Sequence, residues 1–211
     1  MSKIEIGLSG KIGVGKTETT RAVKARFESK GLRVEVIPYG LPLKKMAAIQ
    51  YGFDFPLTLT EAGKSTSIDV SGLAGVKDPE SGFYLTPLNE DGSFVTSMSV
   101  RQILQFYGTE IKRKLDPDYW LKAQIKMTED SGCDVIIVDD VRMPNELNHS
   151  LSRGNVFRIN PYEGWKCDSK IANHYSETAL DAEEYQKMFT SVFTPRYGFL
   201  SEVSDKILSY Y

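Results

Sequence analysis

Eight consecutive residues constrain this chain more than any others: Gly10-Lys11-Ile12-Gly13-Val14-Gly15-Lys16-Thr17. They satisfy the pattern G-x-x-x-x-G-K-[ST] at every required position. The residues before them, Lys3-Ile4-Glu5-Ile6-Gly7-Leu8-Ser9, read as a short buried strand. Those after, from Thr17 to about Lys30, read as a helix. Gly10, Gly13 and Gly15 open backbone angles closed to other residues, so successive N–H groups can turn inward around an anion. The following helix points its positive end at the same place. Lys16 adds a mobile ammonium for the outer phosphates, and Thr17 a hydroxyl suited to Mg2+. A glycine-rich turn that matches by chance lacks this strand–loop–helix setting.

Gly10, Lys11, Gly13, Val14, Gly15, Lys16 and Thr17 are therefore expected to hold the phosphates of a nucleoside triphosphate. The loop alone does not decide what becomes of the terminal phosphate, because many protein classes use it. Downstream, Lys30-Gly31 is a helix stop, and Arg33-Val34-Glu35-Val36-Ile37 reads as a strand ended by Pro38. Strand, loop, helix and strand make a βαβ unit, which implies parallel strands and a right-handed crossover.

Bulk properties narrow the class. The chain has 211 residues, 41% hydrophobic and 26% charged, as expected of a globular α/β core with an insertion. Its 26 basic and 28 acidic residues leave a net charge of −2, which excludes the basic excess of a broad nucleic-acid surface. Cys133 and Cys167 form no metal-ligand spacing and no C-x-x-C pair, so both read as thiols of a reducing cytosol. The N-terminus runs into the first strand without room for a signal peptide, and no apolar run reaches membrane-spanning length. The expected location is the cytoplasm, with no membrane and no nucleic-acid partner. A homodimer is left open.

Beyond Pro42, a short helix is expected over Leu43 to Tyr51. Residues 52–98 are rich in Gly, Ser and Thr. Gly82-Phe83-Tyr84-Leu85 and Ser93-Phe94-Val95, on either side of Asn89-Glu90-Asp91-Gly92, predict a hairpin in a partly mobile surface insertion. Ser99-Val100-Arg101-Gln102 has the form of a capping box, and Val100, Ile103, Leu104, Tyr107 and Ile111 extend a helix to about Lys114. Asp116-Pro117 starts another, ending near Gly132. Asp134-Val135-Ile136-Ile137-Val138-Asp139-Asp140 is the clearest buried strand, without alternation, as in a parallel strand covered on both faces. A helix over Asn145–Arg153, a strand over Val156–Ile159, a helical stretch from Asp181 to Lys187, a strand within Met188–Phe193 and a helix over Phe199–Tyr210 complete the reading.

Candidate chemistry collects where strands end. The carboxylates of Asp139 and Asp140 close a central strand, and in a parallel sheet that edge lines the ligand crevice. Asp140, with Thr17, is the expected Mg2+ group, although acidic residues also end strands for other reasons. Arg142 can aim a planar fork at a phosphate, or pair with Asp140. Arg101 and Gln105 share one helix face, suiting a phosphate and a base edge. Lys44, Arg113 and Arg101 each have a plainer reading as solvated charges, and Trp120 as core with Ala123 and Met127. His174 lacks a second ligand candidate.

Together, GKIGVGKT, Pro42-Leu43-Lys44, the run Arg101 to Glu110, Trp120, Asp140-Val141-Arg142-Met143-Pro144-Asn145-Glu146 and His174-Tyr175-Ser176-Glu177 resemble the bacteriophage-type deoxynucleoside monophosphate kinases. The resemblance covers about Ile4 to Glu177. R-x-x-L-Q-x-x-G-T and D-V-R-x-x-N-E are its more specific blocks. It implies an α/β, P-loop NTPase three-layer fold with a mostly parallel central sheet. A helical and hairpin monophosphate-binding insertion (about 41–130) and a short lid (about 160–180) would belong to one kinase domain over 1–211. It implies transfer of the ATP γ-phosphate to a deoxynucleoside monophosphate, with ATP and Mg2+, in a host cytoplasm. Lys16, Asp140, Arg142 and Arg158 would be catalytic. Lys44, Arg101, Gln105, Gly108, Thr109, Arg113, Trp120, Asp140, Arg142 and Glu146 would surround the deoxynucleotide. Thr17 stands where many members carry Asp. The lid is poor in arginine, since only Lys166 and Lys170 lie between Arg158 and Glu177.

Three rivals share the loop. One is a kinase of dephospho-coenzyme A or a nucleoside. Another is a GTPase-like switch, which lacks an N-K-x-D sequence here and has only Asp69-Val70-Ser71-Gly72 as a D-x-x-G match. The third is a non-catalytic, nucleotide-gated binding protein.

Overall fold

The computed structural model describes residues 3–166, 175–196 and 200–211, which fall into two compact units, 1–39 with 125–211, and 40–124. Cys167, Lys170, His174, Phe199 and part of the expected lid lie outside the described residues.

The first unit is built on five strands: β1 (Ile4–Gly10), β2 (Val34–Val36), β5 (Val135–Val141), β6 (Asn155–Ile159) and β7 (Ser191–Phe193). Two further strands of the chain, β3 (Ser67–Asp69) and β4 (Ser97–Ser99), belong to the second unit. The order in the sheet is β2-β5-β1-β6-β7, and every pairing is parallel. The βαβ expectation holds in direction, but β5 lies between β1 and β2. The central position of β1 explains its sequence: six of its seven residues are buried, so apolar Ile6 and Leu8 face closed layers. Ile6 stands level with Ile137 on one side and Asn155 on the other. Helix α1 (Lys16–Ser29) buries Val23 and Phe27, one turn apart, into a core that also takes Leu8, Phe157, Val203 and Ile207. The last two come from the C-terminal helix Leu200–Leu208.

Gly154 and Gly10 mark close backbone approaches. A Cβ on Gly154 would lie 2.0 Å from the Glu5 carbonyl oxygen. Gly10 has φ 149°, and a Cβ there would lie 2.5 Å from the Ile159 carbonyl oxygen. Gly10→Ala therefore combines an unfavourable backbone region with a clash at the β1–β6 edge. It is expected to cost about 2 kcal/mol of unfolding free energy, read by urea denaturation.

The second unit contains α2 (Gly40–Tyr51), the helix Val100–Gln105 and the start of the helix Tyr119–Asp130. Its core gathers Ala47, Tyr51, Leu85, Ile103, Tyr107 and Trp120. The expected capping box is present: Ser99 Oγ accepts the Gln102 N–H at 3.2 Å, and Gln102 Oε1 accepts the Ser99 N–H at 2.8 Å. Beyond Gln105 the helix widens into a π-wound stretch, Phe106–Arg113, which residue periodicity does not distinguish from an α-helix.

The hairpin expectation is corrected. Tyr84 pairs with Lys77 and Phe94 with Leu88, as isolated bridges rather than as one hairpin of 82–85 with 93–95. Asn89 N–H donates to Ser93 O at 2.7 Å, so the Gly92 turn closes on its immediate flanks. The regular ribbon here is instead antiparallel β3 (Ser67–Asp69) with β4 (Ser97–Ser99). Each of these strands has one apolar residue between polar ones, too weak a pattern to announce itself. Tyr84 and Phe94 do find the packing that aromatic residues require, edge to face at 5.1 Å. No described helix is long and apolar enough to cross a membrane.

Candidate functional site

The glycine loop leaves the C-terminal end of β1 and enters α1 directly. Gly13 and Gly15 have φ 75° and 97°, the left-handed values that make the turn possible. Val14 is buried beneath the loop, whereas Ile12, Gly13 and Thr17 are exposed. Leu200 packs so closely on Gly15 that a Cβ there would lie 2.4 Å from its methyl carbon. Trp165 closes another side by donating its Nε1–H to Ile12 O at 3.1 Å.

Lys16 curls over its own loop, donating to Gly10 O at 2.6 Å and Lys11 O at 2.7 Å. Burial, and then the neighbouring Arg142 cation, lower its pKa to about 8, against the pull of Glu177, Asp139 and Asp140. Its ammonium is thus held among mixed charges in a poorly solvated place, where an arriving anion gains most from it.

The Asp139–Asp140 pair divides its work. Asp139 Oδ2 accepts from Thr20 Oγ at 3.3 Å, tying β5 to the helix that the loop opens. Asp140 Oδ1 accepts the Tyr39 N–H at 2.7 Å, at the exit from β2. Asp139 is thus the member turned towards α1, a distinction that two adjacent carboxylates in a sequence cannot disclose. Arg142 points Nη1 at Glu177 Oε1. Glu146 is buried, and its Oε2 accepts the N–H of Arg142 at 2.9 Å and of Met143 at 3.0 Å. It therefore caps the helix Pro144–Arg153 and fixes the backbone that carries Arg142.

Arg158, which the resemblance would make catalytic, is held within the sheet. It stands level with Ser9 in the β1–β6 pair and is only 4% exposed. Its guanidinium donates to Ser9 Oγ at 3.0 Å and to Asp181 Oδ1 at 2.6 Å. Asp181 also pairs with Lys11 at 2.8 Å. Arg158 consequently anchors a carboxylate beside the loop from within the sheet. Asp181 was not a candidate from sequence, and Glu177 only as part of a block. Their loop partners lie more than 160 residues away, so no local pattern links them.

The remaining predicted residues lie in the second unit. Arg101 and Gln105 are exposed along one helix face, and Arg101 pairs with Glu61. Thr109 is exposed, while Lys44 and Arg113 are half-buried. Gly108 is buried against Leu43, and a Cβ on it would lie 3.0 Å from Leu43 Cδ2. Trp120 is 3% exposed, and its Nε1–H donates to Gly108 O at 3.0 Å. Its ring meets that of Tyr119 edgewise and that of Tyr107 at a tilt. The plainer reading of Trp120, as core, describes this arrangement. Among the described residues no cluster of three or more His, Cys, Asp or Glu side chains forms a metal cage. Mg2+ sites beside phosphates commonly use only one or two protein carboxylates.

No protein-family model matches the chain, and no curated protein matches it. Solved structures with a similar course include shikimate kinase from Aquifex aeolicus vf5, 14% identical, TM-score 0.45, over 98% of this chain and 95% of that one. Shikimate kinase from Acinetobacter baumannii, in complex with shikimate, is 10% identical at TM-score 0.43, over 99% and 92%. Cobyrinic acid a,c-diamide synthase from Mycobacterium smegmatis, with bound ADP and magnesium, is 18% identical at TM-score 0.38, over 100% and 82%. Likeness this distant carries no argument about chemistry.

Proposed function

We propose that the protein is an ATP-dependent phosphotransferase, and within that class a deoxynucleoside monophosphate kinase. One observation carries the first part: a loop amide and Arg142 together grip a single carboxylate beside Lys16. The donor set accepts an oxyanion at the place where the loop motif calls for phosphate. Gly13, Gly15 and the start of α1 would cradle the inner phosphates, and Lys16 and Arg142 would meet the outer ones. Mg2+, when bound, would neutralise phosphate charge, with Thr17 and the Asp139–Asp140 pair as the groups to hold it.

The acceptor is inferred from the sequence resemblance. In this reading residues 1–211 form one kinase, and the second unit supplies the monophosphate-binding part. Arg101 would take the 5′-phosphate and Gln105 a base edge, with Lys44, Thr109 and Arg113 nearby; Gly108 and Trp120 would support them from the core. An acceptor phosphate oxygen attacks the γ-phosphorus as the bond to the bridging β-oxygen breaks, giving ADP and a deoxynucleoside diphosphate. The acceptor is already ionised, so orientation and charge neutralisation are the demands on the protein. The segment of about 160–180 would limit access of water, which competes as acceptor.

The test is ADP release from MgATP against a panel of the four common deoxynucleoside monophosphates, their nucleosides, dephospho-coenzyme A and shikimate. At least one deoxynucleoside monophosphate is expected to be used with kcat/KM about a hundredfold above every other acceptor class, in line with a site built to pair an acceptor phosphate. Equal or better use of any acceptor other than a deoxynucleoside monophosphate would overturn the proposed substrate. ATP binding without turnover on any acceptor would favour the binding-protein rival.

A further inference from the structure

Glu177 occupies one backbone amide of the glycine loop and the Arg142 guanidinium, the cation proposed for the outer phosphates. Its Oε2 accepts the Ile12 N–H at 2.8 Å, and its Oε1 accepts from Arg142 Nη1. The side chain is 4% exposed. Glu177 belongs to the short helical turn Tyr175–Thr178, and four residues further on Asp181 makes the parallel arrangement with Lys11 and Arg158. One stretch of chain therefore lays two carboxylates on the Lys11-Ile12 rim of the loop and on the two arginines beside it.

A backbone amide has one hydrogen to donate. A phosphate oxygen arriving at Ile12 must displace Glu177, and two anions crowded on the same donors repel each other. Glu177 also occupies the Nη1 of Arg142. We infer that Glu177 is a built-in competitor for the phosphate site: an intramolecular carboxylate that holds the loop rim and Arg142 until a polyphosphate replaces it. The inference rests on the reading that this loop binds a nucleoside triphosphate. It makes Glu177 a determinant of affinity. Only a ligand whose phosphates can satisfy both Ile12 and Arg142 recovers what it displaces.

The sign of the effect separates this role from a merely structural one. A glutamate that only pins its segment would weaken ligand binding when altered, because Ile12 and Arg142 would lose their order. A competitor tightens binding when its charge is removed. Glu177→Gln keeps the shape and can still accept the Ile12 N–H, but loses the charge; Glu177→Ala removes the group. Calorimetric Kd values for MgATP and for inorganic tripolyphosphate, on wild type and both variants, give the test. Both ligands are expected to bind the variants about tenfold more tightly, the scale of one charge-assisted hydrogen bond in competition. Unchanged or weaker binding in the variants, beside a wild type that binds, would overturn the inference and leave the nucleotide reading standing. No binding by any of the three proteins would remove that reading and the inference with it. A readout on the unaltered protein guards against variants that do not fold. The Ile12 amide resonance should move when saturating tripolyphosphate replaces the carboxylate, and an unmoved resonance would equally overturn the inference.

Discussion

Lys16→Ala is expected to lower the rate of phosphoryl transfer about a thousandfold, the scale for removing a preorganised cation or donor from a developing charge. It should do so without unfolding the protein. The native pKa of Lys16 lies near 8, below its ordinary value of 10.5, with burial as the main cause. Between those two pH values the unfolded chain binds more protons at this residue than the folded one. Its contribution to stability therefore rises as pH climbs from about 8 to 10.5, and below 8 the ionised side chain opposes folding. At neutral pH the alanine variant loses two bonds to loop carbonyls but also this unfavourable buried charge. Thermal unfolding of the variant should match wild type within a few degrees while turnover collapses. A variant that transfers phosphate like wild type would remove Lys16 from the proposed role.

What the sequence disclosed was local. The loop motif, the buried run at β5 and the Ser99–Gln102 box each depend on residues a few positions apart, and each was readable. The edge of the sheet that carries both the loop and the Asp139–Asp140 pair followed from the same logic, since parallel strands deliver their C-terminal ends to one side. What stayed hidden depends on separation. Glu177 meets Ile12, and Asp181 meets Lys11, across most of the chain, and ion pairs leave no periodic trace. Arg158 is a strand-end residue that the resemblance would make catalytic, and only its register opposite Ser9 shows that it turns inward. The π-wound stretch keeps helical periodicity at short range, and the β3–β4 ribbon is too polar to be recognised from alternation. Asp139 and Asp140 were visible as a pair, but only their partners show that they face different elements.

The second unit depends on a residue that no functional reading singled out. Lys112 lies within the π-wound stretch with its side chain 3% exposed, and it pairs with Asp78, equally buried, at 3.0 Å. It also reaches Glu80 at 2.7 Å and lies over the rings of Tyr107 and Tyr119. Asp78 further accepts the N–H and hydroxyl of Ser81 at 2.9 and 2.8 Å, so this one cation fixes the loop from Lys77 to Leu85. Lys112→Met should cost about 3–5 kcal/mol of unfolding free energy at neutral pH, because it strands a buried carboxylate without its cation. Lys112→Met with Asp78→Asn should recover much of that loss, since asparagine can keep the Ser81 bonds without a charge. The pH dependence should also change sign. In wild type, burial alone would raise the Asp78 pKa, but its bonds to Lys112 and Ser81 hold it below 3.8, and the bonds of Glu80 to Lys112 and Tyr119 hold it below 4.5. Their stabilisation is full above the ordinary carboxylate range and fades as pH falls through the lowered native values. In the single variant, burial acts on Asp78 without the compensating lysine, so protonation relieves the strain and the deficit should shrink on acidification. Urea unfolding of the three proteins at neutral and at acid pH measures both effects. A single variant that loses under about 1 kcal/mol, the scale of an exposed pair, would show that Lys112 and Asp78 are solvated in solution and that this cation does not hold the loop.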